Sequence, residues 1–265
     1  MPDPTSTPTI SVQLYSVYEE WSKDQDTTLA RLATIGYTTV EAFDFVQRPD
    51  EVAAALTRHG LRAGTGHALF LSDSNEQLTV LPLEQTLESA AKLGVEYVID
   101  PFVHPDRWRT REEIQRTADR MNRAAEAAQR YGMGVAYHNH GHELAIRVED
   151  RPALELFAEL VDPAVGFEVD LYWAAAGGVD PVELVSTLGD RVVAVHVKDG
   201  AAGADPLALV VPDGQTAAGR GDVPLTAALE AVTALKYAIV EFDRYPDIFE
   251  GVESSYAFLS ERGLR

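Results

Sequence analysis

The sequence predicts an α/β protein built as a single (β/α)8 TIM barrel spanning residues 1–265. Three observations predict it. Short apolar, strand-like segments recur eight times, and each is followed by a segment of helical spacing. A chain of 265 residues, 46% of them hydrophobic, is a usual size for one such barrel and can bury a large core. Finally, the later strands each end in polar groups, at the C-terminal mouth where parallel α/β enzymes place their chemistry.

In chain order, residues 10–15 (Ile-Ser-Val-Gln-Leu-Tyr) alternate, with Val12 and Leu14 on one face and Gln13 and Tyr15 on the other, as a strand should. A helix near 25–35 stops at Gly36. Thr38 to Phe43 is the second strand, with Glu41 near its end, and a short helix over 50–59 is closed by Gly60. The third strand, 61–66, delivers His67. A polar loop at 72–79 leads into a helix at about 82–93, stopped by Gly94, and the fourth strand, Glu96 to Asp100, runs into Pro101-Phe-Val-His104-Pro105.

The next helix has the clearest stripe: Ile114, Ala118, Met121, Ala125 and Ala128 recur at intervals of four and three. Thr110 with Glu113 three residues later predicts a capping box at its start, and Gly132 a stop beyond its end. It feeds Gly134-Val-Ala-Tyr-His-Asn-His-Gly-His-Glu143, a buried strand that ends in polar residues. A fifth helix over 152–160 has Pro152 in its first turn. In the sixth strand, Val165 to Leu171, residues 165, 167 and 169 share one face while Glu168 and Asp170 share the other. Asp180-Pro181-Val-Glu183 predicts the cap, first-turn proline and acidic first turn of helix six. Val192 to Lys198 follows, with Val193, Val195 and Val197 on one face and Ala194, His196 and Lys198 on the other. A long loop, 199–221, precedes a helix that Asp222 can cap; strand eight is Tyr237 to Asp243, and the last helix runs from about 248 to 261.

Three of the chain's seven histidines, His138, His140 and His142, fall within five positions beside Asn139 and Glu143. One histidine at a strand end is usually a satisfied structural residue; a cluster with a carboxylate is a better ligand or acid/base candidate. His138, Asp170, His196 and Glu241 all fall on the inward face at the mouth ends of strands five to eight. Glu143, Asp170, His196 and Glu241 offer three carboxylates and one imidazole, a set suited to Mn2+, with Mg2+, Co2+ or Zn2+ as alternatives. Converging carboxylates would raise one another's pKa unless a cation lay between them, so the pattern argues for Lewis-acid catalysis.

Composition narrows the partners. With 22 basic against 42 acidic residues, a formal charge of −20, the chain would repel a phosphate backbone, so no nucleic-acid partner is expected. There is no cysteine, hence no disulfide framework. The polar N-terminal residues lack the pattern of a signal peptide, and no apolar run is long enough to span a bilayer, so a cytoplasmic location without a membrane partner is expected. The outer-helix positions leave a homo-oligomer open.

Tyr137-His-Asn-His140 with Glu143, Asp170-Leu-Tyr-Trp173, His196-Val-Lys-Asp199, Gly219-Arg-Gly221 and Glu241-Phe-Asp243 together resemble the sugar phosphate isomerase/epimerase family of xylose-isomerase-like TIM barrels. Gln13-Leu-Tyr-Ser16 and Glu41 also match, so the resemblance covers essentially the whole chain. It implies one divalent metal held by Glu143, Asp170, His196 and Glu241, with Glu143 and Glu241 also moving protons. His138 and His140 would lie beside the metal, and Lys198 would stabilise an oxyanion. Trp173 would wall the sugar ring, although a buried tryptophan is as often plain core. Asn139, Asp243, His67 and His104 complete the candidate substrate contacts; for His67 and His104 a structural role weighs equally. Three-zinc DNA-repair relatives need a histidine where this chain has Trp173 and an Asp-x-His pair that is missing here.

The expected activity is a metal-dependent isomerase or epimerase of a small sugar or cyclitol, working by proton abstraction beside a metal-bound carbonyl. The alternative is a lyase that eliminates the β substituent of a 3-keto-glycoside or inosose, and a third is a non-catalytic sugar-binding barrel. Loop 199–221 is expected either to close over the substrate or to be a plain surface insertion.

Overall fold

The computed structural model describes residues 7–72, 80–208 and 214–265. Eight parallel strands close into a barrel in sequence order: β1 (Thr9–Gln13), β2 (Thr39–Ala42), β3 (Arg62–His67), β4 (Tyr97–Asp100), β5 (Gly134–His138), β6 (Gly166–Asp170), β7 (Val192–Val197) and β8 (Tyr237–Val240). Eight helices surround it: α1 (Gln25–Ile35), α2 (Pro49–Arg58), α3 (Leu83–Leu93), α4 (Arg111–Gln129), α5 (Ala153–Leu160), α6 (Pro181–Leu188), α7 (Leu225–Ala231) and α8 (Ile248–Ser260). The predicted TIM barrel is therefore the observed fold.

Local chemistry sets the boundaries. Gly36 and Gly94, at φ of 125° and 80°, end α1 and α3 in backbone conformations that suit glycine. Thr110 Oγ1 accepts the Glu113 amide at 3.2 Å to start α4, but the reciprocal arm of the expected capping box does not form. Glu113 instead pairs with Arg107 and Arg116. Asp180 caps α6 as expected, accepting the Val182 amide. Asp222 does not cap α7: its Oδ2 accepts the Ala202 amide, and the helix starts after Pro224 with no side-chain cap. Most of the 72–79 loop lies outside the described residues.

The outer faces of the strands pack against the helices in one large apolar core. Inside the barrel a smaller group, Ile99, Ala136, Val193, Ala194, Tyr237 and Ile239, forms an apolar cluster. Strand register then sets which polar residues are neighbours: Gln13 pairs with Glu41, His138 with Glu168, and Asp170 with His196. Alternation carries every one of these inward, because their neighbours in sequence, such as Val12, Val169 and Val197, belong to the outer core.

Candidate metal and catalytic site

Two layers of titratable groups fill the barrel mouth. In the deeper one, Glu168 Oε1 lies 2.7 Å from His67 Nε2, 2.9 Å from His138 Nδ1 and 3.0 Å from His196 Nε2. Glu41 Oε1 takes the Gln13 amide at 2.7 Å and faces His196 Nε2 at 2.7 Å and His67 Nε2 at 3.1 Å. Both carboxylates are fully buried. Burial alone would raise Glu168, but the charges of His196 and His67 and the hydrogen bonds from His138 and His196 hold it well below the usual carboxylate range. Glu41, buried beside the Glu168 charge, is raised.

The outer layer contains Asp170, Glu241, Asp243 and Lys198. Lys198 Nζ lies 2.7 Å from Glu241, 2.9 Å from Asp243 and 3.2 Å from Asp170. Burial opposes its charge, yet the three carboxylates raise its pKa well above the ordinary lysine value, so it is an ammonium. Burial and the Glu241 charge push Asp170 up to about 6. Burial acts against Glu241 as well, but Lys198 and His196 outweigh it and hold the carboxyl well below its usual value. His196 joins the layers: its Nδ1 is 2.8 Å from Glu241 Oε2 while its Nε2 faces Glu41 and Glu168.

Asp170 has two jobs. Its Oδ1 accepts the Trp173 amide at 2.8 Å, starting a short helix over Leu171–Ala176, while its Oδ2 faces Lys198 Nζ at 3.2 Å. Asn139 Oδ1 accepts the Asp170 amide at 3.1 Å, fixing that turn. Trp173 is buried, its ring 5.8 Å from that of His140. Burial, with His138 and His142 nearby, drives His140 well below its ordinary pKa, so the ring is neutral; its Nδ1 makes no hydrogen bond among the described residues.

Two of the expected site residues are not brought into this cluster. Glu143 Oε1 accepts the Tyr137 hydroxyl at 2.6 Å and Oε2 accepts the His140 amide at 2.9 Å, because a short helix over His142–Ala145 turns the side chain back against β5. His104 is 61% exposed, with Nδ1 accepting the Asp106 amide at the start of a single helical turn. Conversely, Glu41, Glu168 and Gln13 belong to the cluster, although the sequence alone gives them no site role. Alternation puts Glu168 on the inward face with Asp170, and that shared face is the available signal.

The donors fit a cation. Asp170, His196 and Glu241 each offer a ligand atom, and these lie within 4.8 Å of one another, as do those of His67, His138, Glu168 and His196. Buried oxygens without hydrogen bonds among the described residues, Glu41 Oε2 and Glu168 Oε2, add unused acceptor capacity, and such a mixed N/O set suits a divalent transition ion.

An eight-stranded barrel with carboxylates and imidazoles converging at its mouth defines a class of TIM barrels whose mouth could hold a metal ion. The chain belongs to the xylose isomerase-like TIM barrel family, whose model matches residues 29–262. It is 31% identical over 193 residues to the inosose dehydratase of Geobacillus kaustophilus (strain HTA426), a match spanning 66% of this chain and 62% of that protein. Two crystal structures of sugar phosphate isomerase/epimerase proteins from Parabacteroides distasonis ATCC 8503 superpose with TM-scores of 0.78 and 0.73. They are 22% and 26% identical, and the matches cover 96% of this chain in both cases and 98% and 94% of theirs. Among the described residues no helix is long and apolar enough to cross a membrane.

Proposed function

We propose that this protein is a metal-dependent dehydratase of a small cyclic polyhydroxy ketone, an inosose or keto-sugar, acting by β-elimination. The observation that carries this reading is the single proton-transfer face of the site. Glu241 opens to the mouth, while Glu143, the second carboxylate that a two-base epimerase would use, is tied to Tyr137 and His140. Likeness to an inosose dehydratase supports the same reading.

Asp170, His196 and Glu241 would hold the ion, and when bound it would supply Lewis-acid polarisation of the ketone. Mn2+ is our first choice. Lys198, an ammonium desolvated among carboxylates, stabilises the negative charge that develops on the ketone oxygen. Glu241 Oε2 faces His196 and Lys198, whereas Oε1 has no hydrogen-bond partner among the described residues. Oε1 takes the proton from the carbon next to the carbonyl, and the C–H electron pair forms an enolate. The enolate collapses with loss of the hydroxyl on the β carbon, and the same carboxylic acid returns its proton to that oxygen, which leaves as water. Trp173, Asn139, His140 and Asp243 line the turn and ring around the substrate.

A second reading keeps the site and changes the outcome: reprotonation of the enolate gives an isomerase or epimerase. It is favoured by the 26% identical sugar phosphate isomerase/epimerase structure. The enzyme is expected to act in the cytoplasm without nucleic-acid or membrane partners. Metal-loaded enzyme incubated with inososes, 3-keto-glycosides and free ketoses should release an unsaturated ketone absorbing in the ultraviolet from the first two. Conversion of ketoses alone, at unchanged mass, would transfer the assignment to the second reading.

A further inference from the structure

The deeper layer does something that the reaction scheme leaves unused. A carboxylate accepts hydrogen bonds and donates none, so each ring nitrogen turned towards ionised Glu168 carries a hydrogen. His138 turns Nδ1 to it and His196 turns Nε2, at 2.9 and 3.0 Å. A ligating imidazole keeps one N–H, so the nitrogen left for a cation is Nε2 in His138 and, once the proton shared with Glu241 has left, Nδ1 in His196.

We propose that Glu168 is a positioning residue that sets the ring orientation and tautomer of both His138 and His196, so that His138 Nε2 and His196 Nδ1 join Asp170 and Glu241 around one cation. This makes His138, rather than Glu143, the donor supplied by β5. The inference rests on the metal-dependent reading above.

The arrangement of these groups carries it. Register places His138 beside Glu168 and Asp170 beside His196, and the two imidazole centroids are 4.5 Å apart. His138 Nε2 has no hydrogen-bond partner among the described residues, while His196 Nδ1 is already within 2.8 Å of Glu241, where a cation would replace the proton between them. Glu41, by contrast, faces His196, His67 and Gln13 but not His138, so it can orient only one of the two ligands. A carboxylate behind a ligating histidine fixes its tautomer and strengthens it as a donor, and losing such a partner typically weakens metal affinity about 10–100-fold.

The test uses the full-length chain with Zn2+ as a diamagnetic probe. Affinity is read by chelator competition, and tautomers by 15N-histidine spectra. Wild-type protein should show His138 with Nδ1–H and metal at Nε2, and His196 with Nε2–H and metal at Nδ1. Glu168→Gln should weaken Zn2+ by about 10–100-fold, disturb both rings and alter the Co2+ visible spectrum; Glu41→Gln should disturb His196 only. His138→Ala should also lose affinity. Should Glu168→Gln fail to fold, the wild-type tautomers still decide. Zn2+ bound with the opposite tautomers, or with unchanged affinity in Glu168→Gln, overturns the inference while sparing the metal reading. Wild-type protein that binds no Zn2+ or Co2+ sinks the metal reading itself.

Discussion

Lys198 Nζ lies 2.7 Å from Glu241 Oε2, so the mouth holds a buried cation against the carboxylate that is assigned the proton transfer. The pair keeps the base ionised and places a positive charge where the enolate oxygen develops. Lys198→Met preserves much of the stem's bulk and removes the charge. It should cut kcat by about 10²–10³-fold, the usual cost of one preorganised oxyanion donor. Bound metal should be retained or tightened, because the three carboxylates lose a competing cation. Near-normal turnover in this variant, with metal content confirmed by atomic absorption, would remove Lys198 from the mechanism.

Metal removal should abolish activity, and affinity for the returning ion should depend on pH with a defined sign. The charges of Glu168 and Glu241 outweigh burial and raise His196 well above its ordinary pKa of 6.5, so the ring is protonated at neutral pH without metal. Each cation bound displaces that proton, so log K should rise by up to about one per pH unit. Below about 6, where Asp170 takes up a proton, a second proton must leave and the slope should steepen. Calorimetry in buffers of different ionisation enthalpy counts the protons released.

Asp100 offers a test of the scaffold away from the chemistry. It is fully buried at the end of β4 and accepts the Phe70, Leu71 and Phe102 amides, tying the β3 and β4 exits together. Burial raises its carboxyl from 3.8 to about 6, although the three amides pull the other way. A folded pKa above the unfolded one contributes stability below 3.8 that is lost as pH rises through about 6. Roughly two pH units at about 1.4 kcal/mol each put this on the order of 3 kcal/mol. Asp100→Asn should therefore flatten the pH dependence of Tm between pH 4 and 7. It should also cost about 1–2 kcal/mol, because its amide nitrogen cannot accept the third bond. An unchanged pH profile would show that Asp100 is not the group responsible.

The loop after β7 is tied to the site on both sides. Asp199 accepts the amides of Gly200, Gly219, Gly221 and Val223, and residues Asp199–Gly200 pair with Gln215–Thr216. Gln215 Oε1 accepts the Asp243 and Arg244 amides, and its Nε2 donates to Asp243 Oδ2, the oxygen that also holds Lys198. Gln215→Ala should therefore lower kcat and raise KM, each by several-fold, with little change in Tm. If both constants stayed at wild-type values, the loop would be an insertion without a role in turnover. Residues 209–213, which include its most apolar stretch, lie outside the described structure.

The eight-strand order is readable because strand-like and helical segments alternate along the chain, with the clearest periodicities in β6 and α4. The mouth residues Asp170, His196 and Glu241 followed from that alternation. Glu143 did not, because its direction depends on a four-residue helix after β5 that is too short to show a periodicity. His104 was similarly misdirected by a single helical turn that leaves the ring in solvent. Glu168 and Glu41 were visible as inward residues, but a deep carboxylate is meaningful only once its partners are known. His67 and His196 come from strands more than a hundred residues apart in sequence, and no local pattern reports that convergence.

The last prediction concerns the fate of one hydrogen. Every carbanion route breaks a C–H bond next to the carbonyl and passes the proton to Glu241, whose carboxyl group opens to the mouth. In D2O, substrate recovered at partial conversion should carry deuterium at that carbon whenever the acid exchanges with solvent before the enolate collapses. A dehydratase should combine this label with a product lighter by the elements of water. An isomerase or epimerase should give a product of unchanged formula with one deuterium incorporated. Glu241→Gln separates base from ligand, since the amide retains an oxygen for the cation but cannot take a proton. In protein shown to be metal-loaded, that variant should lose both turnover and exchange by about 10²-fold or more, within the usual range for general acid–base catalysis. Turnover at unchanged mass with no label in substrate or product, and unaffected in metal-loaded Glu241→Gln, would point instead to a hydride shift between adjacent carbons. That outcome would keep the metal site and discard the proton chemistry assigned to Glu241.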